Sequence, residues 1–187
     1  MNAADRFDTV IAGGGAAGLS CALFLARAKQ RVAVFDRAES SLRRVERVNN
    51  YLGFEEGIGG ADLLERARAQ AQRFGASIFD LDIDRVMQRD GGFVVRAGER
   101  ELQCAHFVLA SNKRTDLAVA LGLALGGHGG RFVEVDPQGR TRVERCWATG
   151  RITGLPSQAI VSAGHGAQVA INIIEQVRGE YYVDHDR

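Results

Sequence analysis

This 187-residue chain is poor in proline, with two, and in cysteine, with three set far apart at Cys21, Cys104 and Cys146. An odd, scattered set with no CxxC spacing argues against a disulfide framework and a cysteine metal site, and predicts a reduced, cytoplasmic setting. Charge of one sign is missing too. The 24 basic and 23 acidic residues leave +1, which removes bulk attraction to nucleic acid or anionic lipid. No apolar run approaches a membrane span. The segment Met1–Arg6 has neither the apolar core nor the cleavage region of a secretion signal, so no leader is expected. Repeats and low-complexity tracts are absent. With 45% apolar and 25% charged residues, the chain is expected to fold as one domain around a sizeable core.

Glycine is abundant, with 23, and clusters in short runs between apolar segments, as tight turns or close backbone approaches require. Phe7–Ala12 reads as a strand, Leu19–Gln30 as a helix, and Arg31–Phe35 as a second buried strand. A helix is predicted over Ala61–Phe74, stopped by Gly75. Alternation over Ser77–Asp84 predicts a half-buried strand, and the turns at Asp90–Gly92 and Ala97–Glu99 set Phe93–Arg96 in an antiparallel meander. Phe107–Ala110 reads as another buried strand. Residues 112–130 look irregular. A hairpin is expected from Phe132–Val135 and Thr141–Val143 around Asp136–Gly139, then a core strand over Cys146–Thr149. A long helix runs from about Gln158 to Val177, closed by Gly179, before a polar tail.

The first strand leads directly into Gly13-Gly14-Gly15-Ala16-Ala17-Gly18, a G-x-G-x-x-G turn. Gly13 permits the turn, Gly15 lets backbone approach a pyrophosphate, and Gly18 allows helix and strand to pack closely. The helix N-terminus then favours phosphate charge. Asp36 ends the second strand eighteen residues beyond Gly18, placed to accept hydrogen bonds from a ribose diol. Together these predict a dinucleotide site and leave FAD and NAD both open.

Other segments carry a resemblance. Asn49-Asn50-Tyr51-Leu52-Gly53-Phe54 with Gly57-Ile58-Gly59-Gly60 and Leu63-Leu64-Glu65 is similar to the Asn-Tyr-Pro-Gly-Phe segment and following helix of the thioredoxin reductase family. Val108-Leu109-Ala110-Ser111 resembles that family's strand ending Ala-Thr-Gly. Trp147-Ala148-Thr149-Gly150-Arg151 resembles its Ala-Ala-Gly-Asp segment, and Gln158–Ala170 its helix directed at the flavin. The resemblance implies an α/β fold: a Rossmann-like FAD-binding domain, with a parallel sheet, helices and a three-stranded antiparallel meander. It implies FAD contacts at Gly13, Gly15, Ala16, Ala17, Gly18, Asp36 and Arg37, and at Asn50, Gly150, Arg151, Gln158 and Ala159 towards the flavin.

The departures are informative. Family members insert an NADPH domain after the Ala-Thr-Gly-like strand; here only residues 112–130 stand there, too few for a βαβ unit. The family's CxxC is missing as well, so no internal thiol route leads from the flavin. Residues 1–187 are therefore expected to form a single FAD-binding domain. The implied function is an FAD-dependent oxidoreductase that is not a self-sufficient thioredoxin reductase. NAD(P)H or a separate reductase would supply electrons, and an unknown acceptor or oxygen would take them. An uncovered flavin face predicts weak oxidase activity or shielding in a homodimer. The alternatives are a non-catalytic electron-transfer subunit and a degenerate binder of NAD. Arg151, where the family has Asp, suggests an altered cofactor contact. His165 is a candidate donor to the flavin or, more simply, a helix-surface histidine. Arg43, Arg44 and Arg47 are candidates for an adenosine or acidic partner, or for a solvated loop. The cysteines and Trp147 read as packing. No catalytic acid or base and no metal ligand is singled out.

Overall fold

A computed structural model describes residues 6–183. The leader reading at residues 1–5 and the end of the polar tail lie outside the described residues. Strand β1 (Arg6–Ala12), helix α1 (Ala16–Arg27) and β2 (Val32–Phe35) form the opening βαβ unit. All four residues of β2 are buried, as a strand covered on both faces requires. A parallel sheet grows from this pair in the order β3-β2-β1-β6-β9, with β3 at Ser77–Phe79, β6 at Arg100–Leu109 and β9 at Cys146–Ala148. The long β6 has two successive neighbours on its second side. Arg100–Cys104 pair antiparallel with β5 (Gly92–Ala97), and Phe107–Leu109 pair parallel with β9. With β4 (Arg85–Arg89) beside β5, the meander is complete.

Successive residues along the strands enter opposite cores. Ile11, Val34, Val108 and Trp147 pack with Cys21, Leu25, Val169 and Ile173 of the helical layer. Val10, Phe35, Phe107 and Cys146 pack instead with Val86, Val95 and Leu102 of the meander. The helical layer comprises α1, α2 (Gly60–Arg73) and α4 (Ala159–Arg178). A Cβ on Gly166 of α4 would strike the backbone of Ala17, so α1 and α4 meet backbone to backbone. That contact brings both helix N-termini to the same edge of the sheet.

Several elements differ from the sequence reading. Helix α1 starts at Ala16, directly after the glycine turn, and stops at Arg27 because Lys29 turns left-handed at φ +67. Of Ser77–Asp84 only Ser77–Phe79 is strand. Asp82 is drawn out of any ladder by Arg37 and Arg114, and its carboxylate also accepts the Ile83 N–H. Phe107–Ala110 is not a separate strand, since Phe107–Leu109 end the long β6. The hairpin over 132–143 is replaced. β8 (Phe132–Val133) pairs back with β7 (Leu125–Gly126), while Asp136 holds its own turn through the Gln138 and Arg140 N–H groups. Residues 112–130 contain a short helix, α3 (Asp116–Ala120), and bury Leu117, Ala118 and Leu123 in the meander core. The long C-terminal helix ends where expected, with Gly179 left-handed at φ +73. Among the described residues no helix is long and apolar enough to cross a membrane.

Candidate cofactor site

The turn after β1 is shaped by two steric demands. Gly13 sits at φ +116 and donates its N–H to the Phe35 carbonyl at 2.8 Å; a Cβ there would lie 2.5 Å from the Ala110 carbonyl oxygen. A Cβ on Gly18 would run into the Gly13 carbonyl, so only glycine lets α1 leave so close to β1. Gly15 is different. It has φ −77, and a Cβ would meet nothing nearer than Ser40 Oγ at 3.6 Å. No internal contact demands glycine at 15; the space in front of it is a groove.

That groove is three clefts in a row. The first, about 240 Å³, runs between Gly13–Gly15, Asp36–Arg37 and Ala110–Arg114. It shares Gly15, Ser40, Ala110 and Asn112 with a middle cleft of about 200 Å³, bounded by Ala16, Ala17, Thr149, Arg151, Gln158 and Ala159. The middle cleft shares Leu42, Val45 and Ser157–Ala159 with a third, which reaches Asn49 and Asn50. Both α1 and α4 begin on the middle cleft, with no side-chain cap and no acidic residue in the first turn. Their leading N–H groups and positive dipole ends therefore suit an anion.

Charge is concentrated in the first cleft. Asp36 is only 6% exposed; one oxygen accepts the Ala38 N–H at 3.1 Å and the other lies 3.8 Å from Arg43. Arg37 donates to Asp82 at 3.0 Å and to Glu39. Arg114 donates to both oxygens of Asp82, at 2.8 and 3.0 Å, and to Asp116 at 2.8 Å. Burial acts to raise the Asp82 carboxyl, but hydrogen bonds from Arg114 and Arg37 outweigh it and hold it below its ordinary value.

At the far end of the groove Arg47 lines the third cleft, and the bond that ties its walls together joins uncharged groups. Asn50 Nδ2 donates to Gln158 Oε1 at 2.8 Å, tying the 45–54 loop to the start of α4. The Gly150 N–H donates to His165 Nδ1 at 3.1 Å, and burial lowers the histidine below its usual range, favouring the neutral ring that accepts this bond. His165 is thus neither a free surface residue nor aimed at the cleft: it braces the 150–153 turn. Arg151 lines the middle cleft, but its guanidinium donates to the Gly154 and Leu155 carbonyls and lies over the Phe132 ring.

Ten of the twelve candidate residues line the groove: Gly13, Gly15, Ala16, Ala17, Asp36, Arg37, Asn50, Arg151, Gln158 and Ala159. Gly18 and Gly150 stand behind its wall, the latter with Cβ space filled by Ala17. Of the loop arginines, Arg43 pairs with Glu65 and approaches Asp36, while Arg47 donates to the Glu56 carbonyl. The three thiols are free and buried, and Trp147 packs in the core with its N–H on His106 Nδ1. Sequence reasoning missed Asn112, Thr149, Ser40, Asp82 and Arg114. Asn112 carried a signal, as a side chain where the resemblance places glycine. It stands at φ +59, a conformation that asparagine tolerates.

The residues present fit a bound dinucleotide. The Thr149 hydroxyl, on the middle cleft, is buried without a hydrogen-bond partner, which is costly unless a ligand supplies one. Asp36 would hold the ribose of such a group, and the start of α1 its phosphates. Among the described residues, no group of three or more His, Cys, Asp or Glu is placed to hold a metal ion.

Comparison with known proteins agrees. Residues 8–43 match the family model described as FAD binding domain. NADPH-dependent thioredoxin reductase 3 of Arabidopsis thaliana is 33% identical over 110 residues, covering 56% of this chain and 21% of that protein. The thioredoxin reductase of Mycolicibacterium smegmatis is 35% identical over 105 residues, covering 55% and 34%. The chain thus spans about a third or less of these relatives' length. A thioredoxin reductase structure from Gloeobacter violaceus superimposes with TM-score 0.86 at 18% identity, covering 98% of this chain and 99% of that one. The glycine turn is thus similar to that of an FAD binding domain, and the fold to that of a thioredoxin reductase.

Proposed function

We propose that residues 1–187 act as a single compact FAD-binding oxidoreductase, with 112–130 in place of an inserted nucleotide domain. The observation that carries this reading is the unbroken groove from Asp36, across the glycine turn, to the start of α4. The burial of Leu117, Ala118 and Leu123 supports the single-domain part, since the short segment closes the meander core by itself. Bound flavin would supply the redox chemistry. The chain's own residues bind and orient it: Asp36 at the ribose, the α1 N-terminus at the diphosphate, Asn50 and Gln158 at the flavin end. Electrons come from NAD(P)H or from a separate reductase, and pass to an acceptor or to oxygen. The "NADPH-dependent" name of the Arabidopsis relative supports the nicotinamide donor.

A second reading, an electron-transfer subunit that works only with a partner, is favoured by the thiols. All three thiols are free and buried, so no disulfide among the described residues can take electrons, and burial pushes Cys104 and Cys146 up to about 12 and raises Cys21 further, away from the thiolate that exchange would need. Three unpaired cysteines also suit a reducing, cytoplasmic location. The test is a visible spectrum of protein purified without added cofactor, followed by identification of what heat releases. Released FAD supports the core reading, whereas a colourless protein that refuses added FAD ends it. Anaerobic bleaching by NADH or NADPH alone then selects the enzyme over the subunit. Sizing chromatography decides whether a homodimer covers the flavin end.

A further inference from the structure

We infer that β9 and the turn after it form an acid-releasable wall of the groove, latched by two imidazoles, His106 and His165. The latch stands on hydrogen bonds within the chain; its effect on a bound cofactor rests on the FAD reading above. β9 is three residues long and edges the parallel side of the sheet, with β6 on one flank and an isolated bridge to Arg140 on the other. Just beyond it, Thr149 and Arg151 line the middle cleft, and a Cβ on Gly150 would lie 2.7 Å from that of Ala17 at the start of α1. Two N–H groups tie this short segment to histidines on different elements. The Trp147 indole donates to Nδ1 of His106, on β6, at 3.2 Å, and the Gly150 backbone donates to Nδ1 of His165, on α4, at 3.1 Å. Trp147, Gly150 and His106 are buried, and His165 is half-buried.

A neutral imidazole has one acceptor nitrogen, and a protonated one has none. Protonation therefore turns each latch into two opposed N–H groups and strands a buried donor on the segment. The surroundings do not favour charged rings. Asp8 and Arg145 act on His106 in opposite senses, and Asp8 already accepts the Arg31 N–H at 2.7 Å, while Arg145 donates to the Gly91 carbonyl. The Arg140 guanidinium lies over the Trp147 ring, 5.6 Å from its centre. Beside His165, the turn of Asp136 and Arg140 brings Gly139 towards Nε2, but Asp136 accepts N–H groups of its own turn. Arg151, on the other side, donates to the Gly154 and Leu155 carbonyls. Burial lowers both histidines, His106 to about 4. The latches thus hold at neutral pH and are lost as pH falls through those lowered values.

The test acidifies the ligand-free full chain from about pH 7 to about pH 3.5. Trp147, the single tryptophan, reports the segment by fluorescence, circular dichroism reports the helices, and ring-proton NMR gives each histidine's midpoint. Tryptophan emission is expected to shift red about half a pH unit or more before helix is lost. H106N and H165N place an amide oxygen near the Nδ1 position, an acceptor that does not titrate. The double variant is expected to keep its neutral-pH emission until the whole fold gives way. Tryptophan and helix signals that move together in the wild type overturn the latch, as does a double variant that shifts like the wild type. Should H106N fold poorly, wild-type rings that both titrate at or above the ordinary 6.5 overturn it without any variant, and lowered midpoints that coincide with the tryptophan shift support it. FAD affinity at about pH 5 is expected to fall about fivefold from its neutral value in the wild type and less than about twofold in H165N. An equal fall in both overturns the effect on the cofactor. Wild-type protein that binds no FAD ends the FAD reading and the cofactor effect together, while the tryptophan signal still decides the latch.

Discussion

The two ends of the groove are built on opposite principles. At the end proposed for the adenosine, Arg37, Asp82 and Arg114 form a charged network, Asp36 lies 3.8 Å from Arg43, and Gly13 and Gly18 have no space for a side chain. At the end proposed for the flavin, hydrogen bonds between uncharged groups, Asn50 to Gln158 and Gly150 to His165, tie the segments together, Arg47 donates to the Glu56 carbonyl, and Leu52 is 88% exposed. The first end would grip a nucleotide, under the proposed reading, through backbone and fixed charge. The second holds its shape through contacts between segments distant in sequence.

The largest effect should follow from breaking the first end. Gly18→Val drives a side chain into the Gly13 carbonyl; we expect a loss of about 3 kcal/mol or more in stability and no retained FAD, read by thermal melting and absorbance. Asp36→Ala should leave the fold largely intact and weaken FAD by about 2 kcal/mol, near thirtyfold, in a binding titration. An equal loss from N50A at the other end would erase the contrast between the two.

Acid should separate the ends further. His165 is held below its ordinary value, so the stability it contributes is complete above the unfolded histidine value and is lost as pH falls through the folded one. His106, buried and lowered from 6.5 to about 4, adds a second loss in the same direction. His165→Ala should therefore flatten only part of the acid-side fall in melting temperature. At neutral pH it should cost about 1 kcal/mol by stranding the Gly150 N–H. Asp82 is also lowered, so its contribution appears above the unfolded carboxylate value and disappears only as pH drops through the folded one. On acidification the flavin end should loosen before the adenosine end. Smallest of all, Asp82→Asn should cost under about 1 kcal/mol, because the carboxylate is a third exposed and solvent screens the pairs.

What was readable in advance follows the range of the interactions. The β1–α1–β2 unit, Gly13 and Asp36 are legible because strand, turn, helix and acid lie within about thirty residues and each has a local signal. The strand expected over Ser77–Asp84 failed because its alternation is genuine, but Asp82 answers to Arg37 and Arg114, 45 and 32 residues away. The 132–143 hairpin failed for a similar reason: Phe132–Val133 found its partner upstream, at Leu125–Gly126. His165 had no local signal for its role as a brace, since its partner Gly150 is brought to it by the packing of α4 on the 150–153 turn.

By itself the sequence determined the opening nucleotide turn, the steric need for glycine at 13 and 18, the acid after β2 and the long final helix, because short-range geometry and periodicity suffice for each. Only the tertiary structure decided that three clefts adjoin in one groove, that α1 and α4 both start on its middle cleft, and that Asn112 and Thr149 both line that cleft. Those arrangements depend on strands far apart in the chain, Ala12 beside Leu109 and Leu109 beside Ala148, and no local pattern of side chains encodes such a distance.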